Sequence, residues 1–261
     1  MRWNKRMAGG DGRRLRVVAR TFGRPILATL LLMSPGWVAI CSSSISSNAQ
    51  APPAPAAPVA RYTVVLDAAH GGEDTGGHSG AWLEKNLTLA LSVRLRSLLA
   101  ARGVTVVTTR ENDSTVDRVR RDELANHANA QACISLHASL SGTGVHLFTS
   151  SLAPAQPARF EPWSTAQAPW MNRSLALAGV LNSALQHAGL TVTLGRTSLP
   201  VVDSMACPAV AVELSPEGGA ASSADHSPID SLNDADYQAR VAEAVAAAIV
   251  EWRSQGAGAG Q

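Results

Sequence analysis

The sequence predicts an α/β fold: a mostly parallel twisted sheet with helices on both faces, in a single domain. Three observations point there. Strand-length apolar runs alternate with stretches whose leucines recur at helical spacing. Hydrophobic residues make up 46% of the 261 positions, enough for a core, and charged residues only 16%. No internal repeat interrupts residues 61–254.

In order, YTVVLDA (62–68) reads as the first strand. From Glu84 to Arg102, Leu87, Leu91, Leu95 and Leu98/Leu99 form a helical stripe, and Gly103 stands where a helix stops. VTVVTT (104–109) is the second strand, followed by a polar helix from Val116 to Asn129. ACISLH (132–137) and GVHLFT (144–149) are strands with a short glycine-containing turn between them. Residues 172–188 form a helix with Leu177, Leu181 and Leu185 on one face. PAVAVEL (208–214) is a late strand, 234–253 an alanine-rich closing helix, and 255–261 a flexible tail.

Ahead of this body, residues 1–24 hold eight Lys or Arg against one acid, and residues 25–49 hold no charge at all. Basic start, apolar PILATLLLMSPGWVAIC (25–41) and small polar residues read as an export signal over 1–49. Ser47-Asn48-Ala49 suits cleavage before Gln50, and an uncleaved membrane anchor is the competing outcome. The Pro/Ala tract at 50–60 is an extended tether. Either way the body faces outside the cytoplasm, as a periplasmic or cell-wall-associated protein, and is taken as a monomer. The net charge of +2 is misleading, because beyond residue 49 there are 14 basic and 19 acidic groups. An acidic body argues against a nucleic-acid partner, which needs clustered positive charge. Cys133 and Cys207 lie in apolar runs, where a thiol behaves as a small hydrophobe; outside the cytoplasm they are also able to pair.

Ligands of such folds bind at the C-terminal ends of strands. The polar residues there are Asp67 and His70, Arg110, His137 and Glu213, while Glu84 opens the first helix. His70, Glu84 and His137 offer two imidazoles and a carboxylate, a donor set for a zinc ion (Zn²⁺), with Glu213 as a further acid outside it. Taken singly, each also reads as an ordinary loop or helix-start residue. A phosphate-binding loop fits poorly, since HGGEDTGG lacks both the P-loop lysine and the GxGxxG spacing. His78 and Trp82 are candidates for substrate contact, Arg110 for a structural ion pair, and His146 lies on a strand with its facing undetermined.

The order LDAAHGG, EKNLTLALSVRLRSLLAARGVTVVTTR, ANAQACISLHAS, PAVAVEL resembles the zinc-dependent N-acetylmuramoyl-L-alanine amidases of bacterial cell walls, from about Tyr62 to Trp252. The resemblance implies that His70, Glu84 and His137 bind zinc and that Glu213 is catalytic. It implies hydrolysis of the amide between N-acetylmuramic acid and L-alanine, with peptidoglycan as partner. The rival expectations are a non-catalytic cell-wall binding or regulatory protein on the same fold, and a zinc peptidase acting within the stem peptide.

Three departures adjoin the site: Ala68-Ala69 where the family has Pro-Gly, Ser139 where it has Asn, and no aromatic after Glu213. Alanine does not readily take a positive φ, so the loop carrying His70 is expected to differ in shape. Some family members carry an inserted helix that blocks the zinc. The corresponding connection here holds Pro154, Pro157, Pro162 and Pro169, and an interior proline costs a helix about 3 kcal/mol. Activity without an activator is therefore expected.

Overall fold

Val64, Val65 and Leu66 are fully buried, as a central strand covered on both sides requires. They form the strand Thr63–Ala68 (β1). The structure is a computed structural model that describes residues 61–160, 162–217 and 227–258. The expected export segment and tether at 1–60, residues 218–226 with His226, and residues 259–261 lie outside the described residues.

After β1 come a two-rung hairpin, His78–Ser79 (β2) with Trp82–Leu83 (β3), and the helix Glu84–Ala101 (α1). Thr105–Thr108 (β4), Arg118–His127 (α2), Ala132–Ala138 (β5) and Val145–Ser150 (β6) follow. Two 3₁₀ turns lead into Met171–His187 (α3) and then Val192–Thr197 (β7). Pro200–Asp203 (α4), Ala209–Leu214 (β8), Pro228–Asn233 (α5) and Ala235–Gly258 (α6) complete the described chain. All of these elements belong to one unit.

The six-stranded sheet runs β4-β1-β5-β8-β6-β7. Every pairing is parallel except β6 with β8. The short connection after β5 therefore does not make a hairpin, because β8 inserts between β5 and β6. Side chains alternate between faces with period two. Leu66, Ile134 and Val212 join the main core with Leu95 of α1, Leu181 of α3 and Val245 of α6. Val65, Cys133 and Ala211 face the other way, onto Ala125 of α2 and Val202 of α4. Helices thus cover both faces, as the alternation predicts.

Two expectations are corrected. Residues 255–258, read as tail, continue α6 to Gly258, where Gln255 Nε2 donates to Glu251 Oε1 one turn back. Among the described residues Arg110 has no ion-pair partner: its guanidinium is buried and donates to the carbonyls of Ala68, Ala69, Lys85 and Asn112. The ion pair at the end of β1 is instead Arg121 with Asp67 at 2.7 Å. The two cysteines are joined, with Cα atoms 6.2 Å apart, so β5 is tied to the approach of β8.

Candidate active site

Four strand ends and one helix start build the rim. Arg121, reaching from α2, donates to Asp67 Oδ1, to the Ala68 carbonyl and to the His70 carbonyl, which fixes where the chain leaves β1. Asp67 also accepts from Thr109 and Ser135, so it is a structural acid with no place in the site. The loop that follows is pinned by Lys85, whose Nζ donates to the Gly72 carbonyl and to Asp113, both at 2.7 Å.

The same loop caps α1. The first N–H groups of a helix lack intrahelical partners, and here Glu84 N donates to Gly77 O and Lys85 N to Thr75 O. The cap places the Glu84 side chain inward at 6% exposure, close to both histidines. His70 Nε2 lies 3.1 Å from Glu84 Oε2, and His137 Nδ1 lies 3.2 Å from Oε1. Backbone N–H groups of Gly77 and Ala138 donate to the same carboxylate. Burial alone would raise the Glu84 pKa. The bonds from His137, His70, Ala138 and Gly77 outweigh it and hold the carboxyl far below the usual range. His70 is raised, first by its bond to Glu84, against burial and with help from Asp74.

One donor atom from each of His70, Glu84 and His137 lies within 4.8 Å of the other two, and this is the one such group among the described residues. Three protein donors with a position to spare is the composition of a catalytic zinc site. Two further features fit a metal. Asp74 Oδ2 sits 2.8 Å from His70 Nδ1, the carboxylate partner that holds a metal-binding imidazole by its other nitrogen. At Gly76 a Cβ would stand 2.5 Å from His70 Cδ2 and 2.7 Å from Glu84 Oε2, so only glycine leaves the pocket open.

Glu213 lies outside this trio yet in register with it. On parallel β5 and β8, His137 is opposite Glu213, and partners on neighbouring strands stand about 4.8 Å apart on one face. Of the remaining candidates, His78 is exposed on β2 and joins no metal group. Trp82 is 7% exposed in the core, so it anchors the loop. His146, whose role the strand pattern leaves open, lies 3.1 Å from Glu213.

A family model described as N-acetylmuramoyl-L-alanine amidase matches residues 64–251. The chain belongs to that family. "Probable cell wall amidase LytH" of Staphylococcus epidermidis is 30% identical over 196 residues, covering 69% of this chain and 56% of that protein. The germination-specific N-acetylmuramoyl-L-alanine amidase of Bacillus subtilis is 34% identical over 94 residues, 31% of this chain and 40% of that protein. Among solved structures, the catalytic domain of the amidase CwlV from Paenibacillus polymyxa is 27% identical with a TM-score of 0.56. That match covers 74% of this chain and 98% of CwlV's catalytic domain. The chain spans 40%, 32% and 32% of the length of three curated amidases it matches.

Two of the three departures from the amidase pattern have a structural account. The left-handed backbone falls on His70 itself, at φ 62°, with Gly71 and Gly72 after it; Ala68 and Ala69 are not among the positive-φ residues. Alanine therefore serves at both positions without strain. Ser139 Oγ bonds Ser141 Oγ at 2.8 Å and accepts from Ser141 N, so it orders the turn after β5 locally. The run after Glu213 is described only through Glu217.

Proposed function

We propose that this chain is a zinc-dependent amidase that hydrolyses the bond between the lactyl group of N-acetylmuramic acid and L-alanine in peptidoglycan. The observation that carries the reading is the convergence of His70, Glu84 and His137 within 4.8 Å, beside Glu213, in a chain of the amidase family. His70, Glu84 and His137 would hold the metal, with Asp74 orienting His70. When bound, zinc polarises a carbonyl and lowers the pKa of water toward neutrality. Glu213 then takes the proton of the attacking water and delivers it to the leaving amine. Glu84 is buried with both carboxylate oxygens engaged by ring and backbone nitrogens, which suits it to the metal and not to proton transfer.

The complete donor set favours an enzyme over a non-catalytic binder of the same fold. A stem-peptide peptidase is the second enzymatic reading. The Cys133–Cys207 bond supports an exported, oxidising location, since disulfides persist there and are rare in the cytosol. Among the described residues no helix is long and apolar enough to cross a membrane.

The test is metal removal. Protein stripped with chelator should stop solubilising purified sacculi, and stoichiometric zinc should restore the rate where magnesium does not. Full activity after complete removal of metal would overturn the zinc reading.

A further inference from the structure

Glu213 has one side-chain hydrogen-bond partner among the described residues, and the chemistry above leaves it unused. His146 Nδ1 lies 3.1 Å from Glu213 Oε1, and its Nε2 faces the Thr143 carbonyl at 3.3 Å. An ionised carboxylate oxygen only accepts, so in the bond to Glu213 it is the His146 Nδ1–H that donates.

The ring is built into this position. On antiparallel β6 and β8, His146 is directly opposite Glu213. At Gly142, φ 82°, a Cβ would come 2.4 Å from His146 Cε1 and 3.0 Å from Nε2, so the turn needs glycine to admit the ring. Phe148 stands edge-on to it, centroids 6.0 Å apart. From below, the buried Tyr237 hydroxyl donates to the carbonyls of both Gly144 and Ser215, clamping the turn before β6 to the end of β8. His146 is not one of the three grouped metal donors.

We infer that His146 is the positioning residue of Glu213: its Nδ1–H holds one carboxylate oxygen, fixing the plane of the group and presenting the other oxygen for proton transfer. The inference rests on the reading of Glu213 as the proton-transfer group. A hydrogen bond of this kind to a charged partner adds strength as well as direction. Across three neighbouring strands the register runs His137, Glu213, His146, so the acid stands between the proposed metal donor and its own support.

The experiment makes His146→Ala and His146→Asn in the wild-type and Glu213→Gln backgrounds. It reads kcat and KM on a soluble muropeptide, together with zinc content and thermal midpoint. His146→Ala should keep its zinc and its KM while kcat falls roughly ten- to a hundredfold, the size of a lost charge-assisted bond. His146→Asn, whose amide nitrogen replaces Nδ1, should recover part of that loss. Adding His146→Ala to Glu213→Gln should cost little more, because the two act as one unit. An unchanged kcat in His146→Ala, or the same fractional loss in both backgrounds, would overturn the inference. So would a loss that tracks zinc content or the thermal midpoint in both His146 variants. Turnover retained by Glu213→Gln would instead overturn the underlying reading of Glu213, and His146 with it.

Discussion

At Gly76 the site has no room to spare. A Cβ there meets the His70 ring and a Glu84 oxygen, both under 3.0 Å, and the backbone sits at φ 65°. Gly76→Ala should therefore weaken zinc binding tenfold or more, a size typical of disturbing the groups around metal ligands. Competition against a chromogenic chelator measures it, and an unchanged affinity would refute the packing account. Glu213→Gln should leave zinc bound while turnover drops roughly 10²- to 10⁴-fold. A variant that keeps its rate and loses only thermal stability would make Glu213 structural. Asp122 on α2 is a different case: it is 3% exposed with Oδ1 unpartnered. Burial pushes its carboxyl up to about 6, against the lowering effects of Arg118 and Ser204. A raised acid contributes stability in full below about pH 4 and loses it as pH rises through the folded value. Asp122→Asn should consequently raise the thermal midpoint at pH 7 and leave it nearly unchanged at pH 4; equal shifts at both would refute the burial penalty. The grouping of His70, Glu84 and His137 was legible because each stands near a strand end or starts a helix. His146 was not, since its place at the rim depends on the direction of β6.

The direction of β6 belongs to the scale of elements. A strand following β5 by a short glycine turn reads equally well as its neighbour, and only the insertion of β8 decides otherwise. Because β6 is antiparallel to β8, the start of β6 meets the end of β8, which brings His146 to Glu213. β7 escaped the pattern for a physical reason. VTLGRT contains Gly195 and Arg196, and as an edge strand it exposes four of its six residues, so it lacks the apolar run that marks a central strand. The β2–β3 hairpin is two residues a side, too short for any periodicity. α4 and α5 are also brief, four and six residues, each opening on proline. The disulfide staples β5 to the chain entering β8, the two strands that carry His137 and Glu213. Its partners are 74 residues apart, a loop for which chain entropy predicts about 4 kcal/mol of stabilisation. Urea unfolding of reduced and oxidised protein should differ by an amount of that order, and coincident midpoints would contradict it.

The fold class was readable from alternation alone, because buried parallel strands and amphipathic helices leave opposite signatures. The rim where His70, Glu84 and His137 group was readable from the rule that such sheets bind ligands at strand carboxyl ends. Edge strands, strand direction and side-chain partners across the rim depend on tertiary contacts that no local pattern carries. Regulation follows from the connection between β6 and α3. Its described residues within 151–170 form two three-residue 3₁₀ turns and no α-helix, so none from there is available to block the proposed metal donors. The purified body should accordingly act without an activator; inertness until a second protein is added would contradict this. Purified sacculi should be digested with zinc-loaded protein, with chelated protein and with Glu213→Gln, and the products resolved by mass spectrometry. The zinc-loaded wild type alone should release intact stem peptides with a free L-alanine amino terminus and glycan strands bearing unsubstituted lactyl carboxylates. Products that keep L-alanine on the muramic acid and are shortened within the peptide would contradict it.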